Sequence, residues 1–355
     1  MPAEVTAMQT PRELGYRWPA EWERQASVWL SWPRNPATWP DKFEPVPAEF
    51  TQLVRTIAKY EPVNILAGGR EILAQAKSLV GDLHNVTLHD IETNDAWCRD
   101  HGPIFLSGPP GSQPALVDWE YNAWGGKYPP FDKDNLVPQI IGRLQGRRVF
   151  SPGIILEGGA IEGNGRGCLL TTESCLLNPN RNSHLSREQV EKYLADYLAI
   201  EKVLWLSGGE MAGDDTDGHI DQIARFINWR TIVVCVCDDP ADENFGPTQQ
   251  NLIELQQLTD QNDRPFEIVQ LPLPKPLFVD DQRLPAGYSN FLIVNDAVIV
   301  PRFGDPADAR AIGILQDLMP DREVVGSPSL NLVWGLGSFH CLSQQEPLPH
   351  FETEN

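Results

Sequence analysis

The sequence predicts an α/β fold built from repeated strand–strand–helix–strand units. Three observations predict it. Short apolar runs and amphipathic stretches of helical period alternate about five times along the 355 residues. The units share a pattern and no obvious sequence identity. No Gly/Ser linker or charge block interrupts them, so residues 1–355 read as a single domain, although the length also admits two ordinary ones.

Taken in order, residues 1–46 are rich in Pro and Trp and read as ordered loop, with one strand near Ala26–Ser31. Phe50, Leu53, Val54 and Ile57 recur at helical spacing, so Pro47–Tyr60 is a helix. Val63–Leu66 is a strand, Arg70–Val80 a helix and Val86–Ile91 a strand. Ala115–Trp119, Arg148–Phe150, Ile154–Leu156 and Cys168–Thr171 follow as strands, with a helix at Leu136–Leu144. Ser186 and Gln189 form a capping box that opens a helix over 187–199. Val203–Leu206, Ile220–Ile227 and Ile232–Val236 read as strands, Pro247–Leu258 as helix and Glu267–Leu271 as strand. Asn295-Asp296 is a hairpin turn between Phe291–Val294 and Ala297–Val300. Asp305-Pro306 opens a helix to about Leu318, and Glu323–Val325 ends the pattern as a strand.

Composition limits what the protein can do. A hydrophobic content of 41% with 22% charged residues describes a globular chain with a sizeable core. The net charge of −21 argues against a nucleic-acid partner and suits a cationic small molecule, or simply keeps the surface solvated. Six cysteines lack the density of a disulfide scaffold and any CxxC pair. Cys235 and Cys237 lie two apart on a strand and read as core. Met1 to Thr10 lacks the pattern of a secretory leader. No apolar run approaches the roughly 18–20 residues of a membrane span. The expectation is a cytoplasmic protein with no membrane partner.

Five stretches could carry chemistry. Gly335-Leu336-Gly337-Ser338-Phe339-His340-Cys341 places one thiol after a glycine-rich approach and before a polar, proline-ended turn. Cys341 is then a nucleophile, or a small buried hydrophobe. Asn94 to Pro103 crowds Trp97, Arg99 and Asp100 together, an indole and a carboxylate that suit a flat cation, or an Arg–Asp pair at a turn. His219 and Asp221, two apart on the expected strand, share one side beneath the acidic loop Gly213–Gly218, which includes Asp215. That loop lacks the alternation and terminal Glu of a calcium loop, and zinc would want more His or Cys. Glu157 ends an apolar strand before Gly158-Gly159, as a carboxylate at a strand tip or as a turn. Asn290 precedes a strong strand and offers an amide, or closes a loop. The chain has no phosphate-cradling glycine loop, no metal set and no G-x-S-x-G elbow.

These residues resemble the agmatine deiminases and the related Porphyromonas-type peptidylarginine deiminases of the guanidine-modifying (pentein) superfamily. The shared motifs cover most of the chain. They include Pro19-Ala20-Glu21-Trp22, Trp97-Cys98-Arg99-Asp100, Asn122-Ala123-Trp124-Gly125-Gly126-Lys127-Tyr128 and Glu157-Gly158-Gly159. Further on they include Asn178-Pro179-Asn180-Arg181-Asn182, Thr216-Asp217-Gly218-His219-Ile220-Asp221, Phe303-Gly304-Asp305-Pro306 and His340-Cys341. Ala96 and His101 stand where hydroxyl residues are usual in agmatine-type sequences, and Gly335–Ser338 departs from the usual glycine run. No catalytic group is lost.

The resemblance implies a five-fold pseudosymmetric α/β-propeller. It implies that Cys341 attacks a guanidinium carbon, that His219 is the general acid/base, and that Asp100 and Asp221 grip the guanidinium nitrogens. Trp97, Glu157, Asp215 and Asn290 would lie around the ligand. The implied partner is a small cationic guanidine, with no metal or organic cofactor; a homo-oligomer is left open. The implied reaction is hydrolysis of agmatine to N-carbamoylputrescine and ammonia, a step toward putrescine. Peptidylarginine or arginine deimination, amidinotransfer and catalytically silent cation binding remain as alternatives.

Overall fold

Five sheets repeat one internal connectivity. In each, two antiparallel strands are followed by a helix that returns the chain to a third strand, parallel to the second. Four units are continuous. They run Ile104–Leu106, Ala115–Val117, helix Val137–Gln145, Val149–Phe150; then Ile161–Gly163, Cys168–Thr172, helix Arg187–Leu198, Lys202–Leu206. The others run Ala224–Phe226, Thr231–Val236, helix Phe245–Gln257, Glu267–Pro272; and Leu292–Val294, Ala297–Arg302, helix Ala307–Leu318, Glu323–Pro328. The computed structural model describes residues 9–208 and 211–349; most of the expected leader-free stretch Met1–Thr10 lies outside them.

The remaining unit is assembled from the two far parts of the chain. Gln25–Ser31 leads through helix Val46–Ile57 to Val63–Leu66, and helix Arg70–Val80 leads on to Val86–His89. Its antiparallel strand is Ser343–Pro347, paired Leu30↔Ser343 and Trp29↔Gln344. The sequence reading made this segment a polar turn. It is a buried strand whose polar side chains are bonded: Gln344 and Gln345 accept from Arg99, and Glu346 accepts from Trp29 Nε1 and Ser27 Oγ. Hydropathy alone cannot find a strand of that kind.

Local signals act as expected elsewhere. Phe50, Leu53, Val54 and Ile57 form the buried stripe of the first helix. Both bonds of the Ser186–Gln189 capping box are present. The Asp305 carboxylate accepts from Ala307 N at 2.8 Å and starts its helix. Among the described residues, no helix is long and apolar enough to cross a membrane.

Ile220–Ile227 is not one strand: a 3-10 turn covers Ile220–Gln222 and the strand begins at Ala224. Ile154–Leu156 makes only an isolated bridge, Glu120 with Ile155. Both differences belong to one rule. Each unit is entered through a short turn just before its first strand: Cys98–His101, Gly158–Ala160, Ile220–Gln222, Tyr288–Asn290, and the segment ending at Leu342.

One buried carboxylate gives a stability test away from these turns. Burial pushes Glu61 up to about 8, against a hydrogen bond from Asn295 N, with Glu21 adding repulsion. The folded state thus favours the protonated form; the associated stability is full below about pH 4.5 and is lost as pH rises through about 8. Glu61→Gln removes that loss. Its melting temperature relative to wild type should therefore rise by about 2 °C between pH 5 and pH 9, measured by scanning calorimetry.

Candidate active site

The five entry turns carry the candidate residues. Asp100 lies on the first, Gly158-Gly159 follow Glu157 on the second, and His219 and Asp221 lie on the third. Asn290 lies on the fourth and Cys341 on the last. His219 and Asp221 therefore converge through a tight turn, with His219 as its cap, and not through alternation along a strand.

Cys341 sits 6% exposed at one end of a cavity of about 660 Å3. Its approach loop lies against two stacked indoles, Trp39 and Trp97, with centroids 5.6 Å apart. A methyl group on Gly337 would come 2.5 Å from the Trp97 ring, and one on Gly335 would come 2.7 Å from Trp39. Those glycines are needed for close approach. Two amides face the sulfur: Asn290 Nδ2 at 3.0 Å and Gln222 Nε2 at 3.5 Å. The thiol points at Asp221 Oδ2, 3.4 Å away. The Asn290 side-chain oxygen also accepts from Cys341 N and His340 N, so one amide fixes both backbone and sulfur.

Asp100 lines the same cavity. It accepts from Trp124 Nε1 at 3.0 Å and from Gly159 N at 2.9 Å. Trp124 is held there by unusual backbone: Ala123 and Trp124, both non-glycine, have φ of 53° and 56°. Strain of this kind, of order 1–3 kcal/mol per residue, clusters at functional sites. Asn122 helps hold it by accepting from Gly125 N at 2.8 Å.

His219 Nδ1 stands 3.7 Å from Asp100 Oδ1, and neither ring nitrogen has a hydrogen-bond partner among the described residues. Gly159 is wedged between the groups. A methyl there would lie 2.6 Å from His219 Nδ1, 2.7 Å from Asp100 Oδ1 and 3.2 Å from Asp221 Oδ2.

The electrostatics follow from this crowding. Burial pushes the Cys341 thiol well up, and Asp221 and Asp100 push it further. Burial disfavours charge on His219, but Asp100, Cys175 and Glu157 outweigh it and hold the imidazole well above its usual value. Asp100 is pushed up to about 6 by burial, with His219 opposing and Asp221 and Glu157 adding. Asp221 is lowered: burial works against its charge, and His340 more than compensates. These directions favour a thiol beside an imidazolium, with Asp100 and Asp221 close to both.

Trp97, Asp100, Asp215 and Cys341 line the cavity, as do Trp124 and Tyr128. His219, Asp221 and Asn290 are buried just beneath, grouped around the thiol and Asp100. Glu157 is set back. It is fully buried, ion-paired with Arg181 at 2.6 Å and grouped with Cys175 and His219.

The acidic loop divides its tasks. Asp214 caps the turn, accepting from Thr216 and Gly218, while Asp217 pairs with Arg181 and Lys127. Asp215 alone faces the cavity, bonded by the Tyr128 hydroxyl, and burial raises its pKa.

Two clusters bring together groups of the kind that hold metals: Glu157, Cys175 and His219, and Glu21, Glu162 and His340. Arginines already engage their carboxylates, Arg181 on Glu157 and Arg225 on both Glu21 and Glu162. Sequence reasoning missed the parts played by Trp124, Gln222 and Glu21. Trp124 and Glu21 stood inside quoted motifs, but nothing local marked their partners.

Residues 17–347 match the model of the Porphyromonas-type peptidyl-arginine deiminase family. An agmatine deiminase of Pseudomonas syringae pv. syringae is 39% identical over 369 residues, covering 98% of this chain and 99% of that protein. The solved agmatine deiminase of Enterococcus faecalis superposes with a TM-score of 0.90 at 35% identity, covering 96% of this chain and 98% of that one. The agmatine deiminase of C. jejuni gives 0.84 at 31% identity, covering 94% and 97%. An amidinotransferase from Microseira wollei, 14% identical with a TM-score of 0.51, shares the mixed α/β fold alone. With the family model spanning nearly the whole chain and full-length relatives above 30% identity, this chain belongs to the Porphyromonas-type peptidyl-arginine deiminase family.

Proposed function

We propose that the chain is an agmatine deiminase: it hydrolyses the guanidinium of agmatine to N-carbamoylputrescine and ammonia. The observation that carries this is the meeting of Cys341, His219, Asp100 and Asp221 at one end of the cavity, within reach of one planar cation. The five units form a pseudo-five-fold α/β-propeller in a single domain, with the entry turns gathered about its axis.

In this reading Asp100 and Asp221 take the guanidinium nitrogens and hold the plane of the cation against the sulfur. The bound positive charge offsets the two carboxylates that keep Cys341 protonated, so substrate itself favours the thiolate. Sγ bonds to the guanidinium carbon, and the imidazolium of His219 gives a proton to a terminal nitrogen. That C–N bond breaks and ammonia leaves. The proton lost by the thiol passes to solvent as the substrate binds, so an S-alkylthiouronium remains on Cys341 beside a neutral His219. Neutral His219 then takes a proton from water, the oxygen bonds to carbon, and the C–S bond breaks to release the ureido product and the thiol. Asn290 and Gln222, donating toward sulfur, stabilise it as it enters and leaves. Glu157, behind the imidazole, holds its orientation. Trp97 gives a flat wall for the substrate chain, and Asp215 with Tyr128 receives its far ammonium.

A substrate panel tests the reading. Agmatine, free arginine and a blocked arginine peptide are scored for ammonia and ureido product, with and without an added amine acceptor. Agmatine is expected to turn over without an acceptor and at least about 100-fold faster, in kcat/KM, than either arginine compound. Asp215→Asn should lower kcat/KM for agmatine about tenfold, while leaving N-acetylagmatine nearly unaffected. A panel in which the peptide leads, or turnover needs an amine, overturns it.

A further inference from the structure

We infer that His340, next to the nucleophile in sequence, is a positioning residue: a buried doubly protonated imidazolium that ties Asp221 to Glu21 and leaves one Asp221 oxygen for the substrate. The inference deepens the deiminase reading and rests on it for its kinetic consequence.

The ring is 1% exposed and each nitrogen faces a carboxylate. His340 Nδ1 is 2.8 Å from Asp221 Oδ2, and Nε2 is 3.0 Å from Glu21 Oε2. A neutral imidazole has one N–H and one lone pair, and the lone pair would then oppose a carboxylate oxygen. Glu21 cannot relieve that by taking a proton cheaply. Arg225 donates to its Oε2 at 2.5 Å and Ile293 N to its Oε1 at 2.6 Å. Asp221 also faces His219, Cys341 and Arg225, and Glu21 also faces Arg99. The arrangement is satisfied when both nitrogens of His340 carry protons.

The backbone leaves the ring little freedom. His340 N donates to Asn290, and its carbonyl accepts from Arg99 Nε at 3.2 Å. The turn that aims Cys341 toward the cavity aims His340 the other way, into the buried Glu21–Arg225–Glu162 network. Asp221 Oδ2 is thereby occupied, and Oδ1, buried and without a partner among the described residues, is the acceptor left over. His340 thus fixes both the ionisation of Asp221 and the oxygen it presents.

The test replaces His340 with Gln, which cannot donate to both carboxylates. With that bridge gone, Asp221 can turn and no longer presents one fixed oxygen to the cation. At pH 7 kcat/KM should fall about 10- to 100-fold, more through KM than kcat. Glu21→Gln, remote from thiol and substrate, should raise KM in the same way by less. A merely structural His340 would lower kcat and stability together with KM unchanged, and that result overturns the inference. Independently of activity and of variant folding, 15N NMR of histidine-labelled wild type at pH 8 should show His340 with two protonated ring nitrogens. A single-tautomer pattern overturns the inference whatever the substrate proves to be, whereas failure to release ammonia from agmatine overturns the deiminase reading alone.

Discussion

Cys341→Ala is expected to lower ammonia release from agmatine by at least ~10^4-fold while leaving the fold and ligand binding in place. The side chain is small, so the cavity left by its sulfur is modest. The carboxylates that would hold the cation stand on other turns: Asp100 just after Trp97, and Asp221 just after Ile220. Binding and chemistry therefore separate. Calorimetric titration should find agmatine bound with an affinity within about tenfold of the wild-type KM, because Asp100 and Asp221 are intact. Mass spectrometry of acid-quenched wild-type enzyme should find an adduct on Cys341, and the variant should show none. Ammonia release surviving in the variant would remove the covalent route altogether.

Gly159→Ala is expected to cost about 10^2- to 10^3-fold in kcat/KM, from one added methyl group. That methyl would press on His219, Asp100 and Asp221 at once, at 2.6, 2.7 and 3.2 Å. All three contacts are to side chains, which can rotate away, so the chain can still fold while its site loses register. Its neighbour behaves differently. A methyl on Gly158 would meet the Arg99 carbonyl oxygen at 2.2 Å, and backbone cannot swing aside. Gly158→Ala should therefore lower the melting temperature clearly more than Gly159→Ala. Equal effects of the two on stability, with activity unchanged in Gly159→Ala, would remove this account of the wedge.

The sequence made the unit pattern readable because helices and central strands declare themselves by period. Phe50, Leu53, Val54 and Ile57 mark one face of a helix, and Ile232–Val236 is an unbroken apolar run. The entry turns were harder. Apolar residues recur on both sides of the break, Ile220 in the turn and Ala224 and Phe226 in the strand, and only the turn geometry separates them. Single residues with the right chemistry stood out at Cys341, His219, Asp100 and Asp221, and the motifs around them carried the family resemblance. Their partners did not stand out. Trp124 reaches Asp100 only because its backbone takes left-handed angles, and His340 finds Glu21 across 319 positions of sequence. Glu157 reads as a strand-tip carboxylate until Arg181 is seen to occupy it.

The pairing of Gln25–Ser31 with Ser343–Pro347 has a consequence for biosynthesis. A ribosome makes one of these partners early and the other some three hundred residues later. Until the second emerges, the first sheet has an open edge, and Cys341, just upstream of that strand, has nowhere to dock. A nascent chain can thus complete four of its repeats and still be inert. Cys341 meets Asp221 only once Ser343–Pro347 has paired, so under the proposed mechanism unfinished chains cannot consume guanidines.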